Sequence, residues 1–156
     1  MEIRLAEKRD IPDMIALLHQ VGQVHYEIRP DIFCAGALKY DEAALEALLK
    51  ESDKPIFVAD EDGFIAGYCF CQLREIAGSS VLTDRKELYI DDLCVDENRR
   101  GQHIATRLYD HVTAFAKTAG CNFITLNVWC GNDGAMRFYE KSGMKARNIH
   151  MEMKLC

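Results

Sequence analysis

The amino-acid sequence predicts a mixed α/β fold in a single domain that spans residues 1–156. This length is typical of one domain, and it allows a core that buries roughly 68–70% of the unfolded surface. Segments in which apolar residues alternate, as in strands, occur between segments with helical periodicity along the whole chain. No low-complexity tract, internal repeat or linker interrupts this succession.

Proline, aspartate and glycine mark the element boundaries in the first half of the chain. Pro12 suits the first turn of a helix, and Pro30 disfavours helix at the residue before it. Asp41 is a typical helix cap, and Gly63 follows two acidic residues in a tight turn. We therefore predict a strand at 2–7, a helix from Asp10 through Val21, a helix at 41–51, and a hairpin of strands 55–60 and 64–76.

The second half contains the strongest strand and the longest helix. Residues 86–95 are rich in β-branched, aromatic and aliphatic side chains, which favour a strand. The helix that follows has one apolar face, and Gly120 is typical of a helix end. The predicted elements are a strand at 86–95, a helix at 102–118, a strand at 122–129, a short helix before Gly143, and a last strand at 149–155.

Composition argues against several classes of protein. The net charge of −6 argues against a general nucleic-acid surface, which requires a basic face. The chain is charged from its second residue and has no apolar run of 18 residues, so we expect neither a signal peptide nor a membrane span. The seven cysteines form no C-x-x-C pair and no zinc-finger spacing with histidine. We expect reduced core thiols, such as Cys69, Cys71 and Cys94, in a cytoplasmic protein with no metal site.

A basic, glycine-bearing turn connects the strongest strand to the longest helix. The first N–H groups of a helix lack internal partners, and the helix dipole adds partial positive charge there. Arg100 adds a full charge, and the arginine fork suits phosphate oxygens, so the turn at 100–106 is a candidate cradle for a phosphate or pyrophosphate. The turn is neither a Walker loop nor a G-x-G-x-x-G dinucleotide fingerprint. The residues leave open whether it binds phosphate or is only a solvated turn.

Two separated motifs resemble those of the GNAT superfamily of acyl-CoA N-acyltransferases. The family carries R/Q-x-x-G-x-G/A after a strand that ends in a D-L-x-V pattern, and often N-x-x-A-x-x-F-Y-x-x-x-G further on. The resemblance covers nearly the whole chain and is strongest over residues 87–145. The matching residues are Asp92, Leu93 and Val95, then Arg100, Gly101, Gln102, His103, Ile104 and Ala105, then Asn132, Ala135, Phe138, Tyr139 and Gly143.

The resemblance implies a central, mostly antiparallel, twisted sheet of six to seven strands, splayed at its two central strands and flanked by about four helices. It implies acetyl-CoA as co-substrate, with no metal. The pantetheine arm would lie along the strand edge at Leu93, Cys94 and Val95, and Asn132 and Tyr139 would also contact the cofactor. The pyrophosphate would bind beside Arg100 on the amides of Gly101, Gln102, His103, Ile104, Ala105 and Thr106.

One position departs from the family pattern, because His103 replaces the middle glycine of the first motif. That glycine helps the backbone to pass close to the phosphates. A residue near a helix start need not have a positive φ, so we expect the substitution to be tolerated. A weaker affinity for the cofactor is the alternative.

The resemblance assigns Tyr139 as the proton donor to the CoA sulfur, whereas the base is less sharply defined. Alternation along the strand places Glu87, Tyr89, Asp91 and Leu93 on one face. Asp92 faces the other way unless a bulge intervenes. We rank Asp91 first as the base, then Asp92, then Glu87; simple pairing of these carboxylates with arginine or backbone is the alternative.

The most direct hypothesis is an acetyl-CoA-dependent N-acetyltransferase that acts on a primary amine of a small molecule or protein, as a homodimer. By resemblance, the acceptor pocket is built by the first two helices and their loop; its candidate residues are His25, Tyr26, Arg29 and Phe33, with Glu87 from the strand. One alternative is an acyl-CoA-binding sensor or regulatory module of the same fold. Another is an unrelated α/β domain that binds phosphate ligands through the turn alone.

Overall fold

The computed structural model describes all 156 residues, which form one sheet with helices on both faces. Single-turn 3-10 helices at Lys8–Asp10 and Glu97–Arg99 precede the first and third α-helices. The strands are β1 (Glu2–Leu5), β2 (Ile56–Glu61), β3 (Phe64–Ile76), β4 (Arg85–Val95) and β5 (Phe123–Leu126). The helices are α1 (Ile11–Ile28), α2 (Glu42–Leu48), α3 (Ile104–Thr118) and α4 (Asp133–Lys141).

The strand order in the sheet follows the chain, β1-β2-β3-β4-β5. The first three pairings are antiparallel, and β4 pairs with β5 in parallel. A parallel pair needs a crossover connection, which α3 provides here. The expected mixed α/β architecture with a mostly antiparallel sheet and four flanking α-helices is therefore confirmed.

The expected number of strands is wrong. The sheet has five strands rather than six to seven, so β5 is an edge strand and not one of two central strands. The predicted strand at 122–129 is shorter, because β5 ends at Leu126. The predicted strand at 149–155 is absent: residues 145–156 make no backbone hydrogen bond within the chain. Alternating side chains do not make a strand unless a partner accepts its backbone groups.

Two apolar clusters hold the helices against the sheet. Beneath α1 and α2, the buried side chains include Met14, Leu45 and Tyr68. Beneath α3, they include Leu88 and Leu108, and the aromatic residues of α4 pack against the same cluster. The apolar helix faces predicted from periodicity are buried against the sheet. This packing fixes the position of the helices on each side of β4.

Several predicted boundaries are confirmed at atomic detail. The Asp41 carboxylate accepts a hydrogen bond from the Ala44 amide at the start of α2. Arg29 before Pro30 is not helical, as predicted, but the predicted helix end at Val21 is wrong, because α1 continues seven residues further to Ile28. Asp10 does precede α1, but its side chain does not cap the helix. Instead it forms a two-fold hydrogen-bonded ion pair with Arg4.

A β-bulge at Asp91 changes which side chains of β4 share a face. The pairing with β3 shifts between Phe70 and Cys71, which leaves Asp91 as the additional residue. After the bulge, Asp92 faces the α1 side, whereas Leu93 packs into the cluster beneath α3. The expectation that Leu93 shares a face with Asp91 is therefore wrong, and the alternative in which a bulge turns Asp92 is confirmed.

Candidate active site

A gap opens where β4 and β5 separate. The last paired residues are Ile90 and Leu126, and β4 continues for five further residues, 91–95, with no partner on that side. The Asp96 amide donates to the Ala66 carbonyl of β3. Because backbone groups alternate along a strand, those of Leu93 and Val95 point away from β3 and into the gap.

Gln20 of α1 borders this gap. Its Nε2 donates to the Val95 carbonyl at 2.9 Å, and its Oε1 accepts from the Glu97 amide at 3.0 Å. The Val95 carbonyl is thus occupied, which leaves the backbone of Leu93 and the Val95 amide facing the gap. The sequence analysis missed Gln20; its only signal is a polar residue beside the apolar face of α1.

The turn before α3 forms a row of unpartnered backbone amides. No amide from Gly101 to Thr106 donates a hydrogen bond within the chain. Gly101 has a φ of +79°, and no atom lies within 4 Å of where a Cβ would stand, so the turn is open to a ligand. The geometry therefore fits an anion.

The two arginines before this row differ. Arg100 is exposed and forms no ion pair or hydrogen bond within the chain. Arg99 pairs with Glu61 at 3.1 Å, and its guanidinium lies 5.5 Å from the centre of the Phe64 ring. Arg99 is thus paired with Glu61, whereas Arg100 keeps a free charge beside the row of amides.

His103 adopts the left-handed region, with φ +59° and ψ +20°. The expectation that this position needs no positive φ is wrong. Left-handed backbone costs a non-glycine residue roughly 1–2 kcal/mol. At the start of α3, a histidine thus replaces the glycine of the family motif and adopts a left-handed backbone that favours glycine.

Asp92 faces the α1 side of the gap with its carboxylate held by β3. The Tyr68 hydroxyl donates to Oδ2 of Asp92 at 2.8 Å. Burial raises the pKa of Asp92, although the Tyr68 hydrogen bond and the charges of Lys39 and His25 oppose the shift. Asp92 therefore holds a proton at higher pH than an ordinary aspartate, as a general base acting near neutral pH requires.

The carboxylate of Asp91 has more partners than that of Asp92. The Tyr40 hydroxyl donates to Oδ2 of Asp91 at 2.7 Å, and Lys39 Nζ lies 3.0 Å from the same oxygen. Lys39 Nζ also donates to the Asp91 carbonyl at 3.3 Å. The sequence analysis missed Lys39 and Tyr40, because the loop before α2 carries no pattern that connects it to β4.

Glu87 lies at the other end of β4, separated from Asp91 by four residues or about 13 Å of strand. It pairs in register with Phe123, where β4 and β5 are still joined. Its buried carboxylate lies 3.6 Å from Arg85 and 3.7 Å from Arg147, and Oε2 accepts no hydrogen bond. The structure thus does not bring Glu87 together with the two aspartates.

Tyr139 of α4 approaches the gap from the α3 side. Its ring packs against Phe138 at 5.1 Å and Tyr109 at 6.2 Å between ring centres. Its hydroxyl forms no hydrogen bond within the chain. Burial raises the pKa of Tyr139 well above its ordinary value, and the nearby Cys69 and Asp92 raise it further. The phenol therefore stays protonated at neutral pH, close enough to Asp92 to be affected by its charge.

Asn132 lies at the N-terminus of α4. Its Oδ1 accepts a hydrogen bond from the Ala135 amide at 3.2 Å, so it caps the helix that carries Tyr139. This contact gives Asn132 a structural task, and it leaves the amide nitrogen without a partner in the chain. Capping thus fixes the start of α4 next to the end of the gap.

The candidate acceptor residues fall into two groups. His25 stacks on Phe33 with ring centres 5.0 Å apart, and Trp129, which the sequence analysis missed, meets Phe33 edge-on at 5.0 Å. These rings join the end of α1 to the segment after β5. Burial lowers the pKa of His25, so its imidazole is neutral more readily than usual. Arg29 instead pairs with Asp31 at 2.7 Å.

Tyr26 is half-buried on α1, one residue after His25, and makes no side-chain hydrogen bond. No group of three or more histidine, cysteine or acidic residues is arranged as metal ligands. All seven cysteines are free thiols, and Cys69, Cys71 and Cys94 are buried as expected. None of the helices combines the length and apolar character needed to cross a bilayer.

Comparison with known proteins places the chain in a family. A model of the acetyltransferase (GNAT) family matches residues 22–144, well over half of the chain, so the protein belongs to the GNAT acetyltransferase family. An uncharacterised N-acetyltransferase of Methanocaldococcus jannaschii is 28% identical over 102 residues, which are 65% of this chain and 44% of that relative. The chain thus spans less than half the length of the curated relative that it matches.

Solved structures show the same fold. A mutant of a Bacillus halodurans protein superposes with a TM-score of 0.95 at 30% identity, covering 100% of both chains. An aminoglycoside N-acetyltransferase in complex with CoA superposes with a TM-score of 0.71 at 16% identity, covering 99% of this chain and 100% of that one. At this lower identity the likeness concerns the fold alone.

Proposed function

We propose that the protein transfers the acetyl group of acetyl-CoA to a primary amine by direct attack on the thioester. One observation carries the proposal: β4 and β5 separate after Ile90 and Leu126, and Asp92 lies on the α1 side of the sheet there while Tyr139 packs in the cluster beneath α3 on the other side. Membership of the GNAT family supports the reaction type. The CoA complex of an aminoglycoside N-acetyltransferase of the same fold supports the co-substrate.

The chain has groups that fit each part of acetyl-CoA. The pyrophosphate matches the six unpartnered amides from Gly101 to Thr106, with the free charge of Arg100 beside them. The pantetheine amides can pair with the backbone groups that face the gap, which are the amide and carbonyl of Leu93 and the amide of Val95. Cys94 lies between them with its side chain buried on the other side of the strand. The thioester supplies an electrophilic carbonyl carbon and a thiolate leaving group.

Proton movement is assigned to two side chains. A free alkyl amine is mostly protonated at neutral pH, so Asp92 accepts its proton, directly or through one water molecule. The N–C bond forms as the C–S bond breaks, and Tyr139 donates its phenolic proton to the departing sulfur. The second proton that the nitrogen loses as it becomes an amide returns to the Tyr139 phenolate, and the proton held by Asp92 passes to solvent. We place Asp92 before Asp91 as the base, because Lys39 and Tyr40 already occupy the carboxylate of Asp91.

We assign the acceptor to the α1 side, where the rings of His25, Phe33 and Trp129 pack on one another and His25 lies close enough to Asp92 for the charge of that carboxylate to act on its imidazole. Carboxylates behind apolar rings suit an amine attached to an apolar or aromatic body. Tyr26 on the same helix would contribute to this surface. Arg29, with its guanidinium paired to Asp31, would support the loop rather than contact the acceptor.

The first experiment is calorimetric titration with acetyl-CoA, dephospho-CoA and ADP, followed by a panel of amines with CoA release as the readout. Micromolar binding of acetyl-CoA that is much tighter than that of ADP, together with amine-dependent CoA release, is the expected result. Equal binding of ADP would favour a general phosphate-binding domain instead.

A second candidate is an acyl-CoA sensor of the same fold, which two observations favour. His103 keeps a strained backbone in the cradle, and Lys39 occupies the carboxylate of Asp91. A sensor would bind acetyl-CoA tightly but release no CoA with any amine. In that case the Tyr139→Phe variant would behave like the wild type in every assay.

A further inference from the structure

Arg74 of β3 is exposed, but two neighbours hold its guanidinium in one place. Its central carbon lies 3.8 Å from the centre of the Tyr89 ring of β4, within range of a cation–π attraction. The side-chain oxygen of Gln72 accepts hydrogen bonds from Nη2 at 2.9 Å and from Nε at 3.3 Å. The guanidinium is therefore oriented before any ligand arrives.

This oriented guanidinium has no ionic partner in the chain. The residue opposite Arg74 on β4 is Glu87, but the carboxylate of Glu87 lies near the guanidinium groups of Arg85 and Arg147. Nη1 of Arg74 donates no hydrogen bond within the chain. A planar guanidinium with free N–H groups matches the two oxygens of a carboxylate, so Arg74 is suited to bind one.

Tyr89 connects Arg74 to the gap between β4 and β5. The Tyr89 hydroxyl accepts a hydrogen bond at 3.1 Å from Nδ2 of Asn127, the first residue after β5. Tyr89 therefore lies where the two strands begin to separate. It precedes Asp92 by three residues, or about 10 Å of strand, so Arg74 borders the α1 side of the gap at a distance that a small extended molecule spans.

A small pocket on the same face joins Gln72 to Asp91, since both residues line it. The other cations near this pocket are already paired. Lys39 lies 3.0 Å from the carboxylate of Asp91, and Lys54 pairs with the glutamate three residues before it. The free positive charge beside the pocket is therefore that of Arg74.

We propose that the acceptor is a primary amine that also carries a carboxylate, and that Arg74 binds this carboxylate while the amine lies at Asp92. The inference rests on the proposed acetyl transfer and names the class of its acceptor. The carboxylate takes no part in the reaction; its contact with Arg74 orients the amine toward the thioester. A diamine would instead place its second ammonium near Arg74 and Lys39, where like charges repel.

The first test compares acceptors of matched length, with CoA release as the readout. The acceptors are 6-aminohexanoate, hexylamine and 1,6-diaminohexane. The acid should have a kcat/KM about fivefold above that of hexylamine, the contribution of an exposed ion pair, and the diamine should be the poorest of the three. Nα-acetyl-lysine and its amide repeat the comparison on a peptide unit, and a preference confined to one pair identifies the source of the carboxylate. Equal values within both pairs, or a preference for the diamine, would overturn the proposal.

Variants of Arg74 separate carboxylate binding from packing on Tyr89. Arg74→Met keeps an apolar side chain on the ring and should raise KM for the preferred acid about fivefold, with kcat and the KM for hexylamine nearly unchanged. Arg74→Lys should retain part of the preference. Arg9→Met removes an exposed arginine that pairs with Glu7 and should match the wild type. Equal losses with acid and amine in Arg74→Met would reduce Arg74 to a structural role.

Binding of the acetylated products tests the same site without turnover. In ligand-observed NMR titrations of the CoA-loaded protein, 6-acetamidohexanoate should bind about fivefold more tightly than N-hexylacetamide in the wild type and in Arg9→Met. The two should bind equally in Arg74→Met. A protein that prefers the acid product but releases no CoA with any amine would contradict the proposed acetyl transfer and support the carboxylate site. Equal binding of both products to the wild type would overturn the site, even where acetyl transfer proceeds.

Discussion

The hydroxyl of Tyr68 on β3 donates a 2.8 Å hydrogen bond to the carboxylate of Asp92 on β4, beside the gap between β4 and β5. The bond stabilises the charged form of Asp92, while burial favours the neutral form and has the larger effect. Burial also raises the pKa of Tyr68, so the phenol remains a donor at all relevant pH values. Tyr68 is therefore positioned to adjust the proton affinity of Asp92.

With Asp92 as the base of the proposed acetyl transfer, the rate should fall on the acid side with a midpoint above the ordinary aspartate pKa of about 4, because that carboxylate must be ionised to accept a proton. Tyr68→Phe removes a hydrogen bond that lowers the pKa of Asp92, so the midpoint should move to higher pH. The pH profile of kcat/KM measures both. The titration of the amine is the same for both proteins, so an unchanged midpoint would exclude Asp92 as the base.

Replacement of the two aspartates should separate their roles. Asp92→Asn should lower kcat by about 10²–10⁴-fold, the usual contribution of a general base. Asp91→Asn should lower kcat much less and act mainly on KM, since the carboxylate of Asp91 is already paired with Lys39 and Tyr40. The reverse order of effects would assign the base to Asp91.

Tyr139→Phe should lower kcat by about 10²–10⁴-fold while leaving the affinity for acetyl-CoA nearly unchanged, because only the proton donor is removed. Tyr109→Phe is the matched control: its ring packs in the same aromatic group, 6.2 Å from that of Tyr139. CoA release in the steady state and calorimetry measure the two quantities. Equal losses in both variants would indicate a packing effect instead of proton donation.

His103→Gly should restore the glycine of the family motif at a backbone φ of +59°. We expect its free energy of unfolding to exceed that of His103→Ala by about 1 kcal/mol, since alanine keeps the left-handed strain and glycine does not. Urea denaturation measures the difference. Calorimetry should show that the glycine variant binds CoA at least as tightly as the wild type; weaker binding would mean that the imidazole itself contacts the ligand.

Lys39→Ala should lower KM for cationic amines several-fold with little change in kcat. The Lys39 ammonium lies 3.0 Å from the Asp91 carboxylate, so a cationic acceptor must compete with it for that charge. Lys39→Arg keeps the charge and should resemble the wild type. Steady-state kinetics with a monoamine and a polyamine provide the comparison, and an unchanged KM would place the acceptor away from Asp91.

Arg4 links β1 to both Asp10 and Asp60, and its loss should destabilise the fold. Removing one partner of a buried ion pair costs about 3–5 kcal/mol, and both Asp10 and Arg4 are largely buried. Arg4→Met should therefore lower the free energy of unfolding by about 3 kcal/mol at pH 7. Lys8→Met, which breaks an exposed pair with Glu46, should leave it nearly unchanged.

The same ion pair predicts a pH dependence. Burial alone would raise the pKa of Asp10, but hydrogen bonds from Arg4 and the Glu7 amide outweigh it and lower the pKa. A lowered folded-state pKa contributes stability above the unfolded pKa and loses it as the pH falls through the folded one. The wild type should thus lose stability below about pH 4, and Arg4→Met should lose less over the same range. Parallel curves for the two proteins would contradict this assignment.

The sequence predicted most elements because their signals are local. The cap at Asp41, the helix end at Gly120 and the apolar face of α3 depend on residues within a few positions of one another. The strand–turn–helix arrangement at the end of β4 was predicted for the same reason, as was its row of free amides. The prediction failed where a strand needed a distant partner, as at 149–155.

By itself, the sequence determined the mixed α/β class, the family motifs and the positions of Tyr139 and the acidic pair along the chain. Only the tertiary structure decided how these groups face one another. The bulge at Asp91 turns Asp92 toward α1, Tyr68 and Lys39 reach the two carboxylates from other elements, and His103 takes a left-handed backbone. Each outcome depends on contacts between residues far apart in sequence, whose free energies no local pattern encodes.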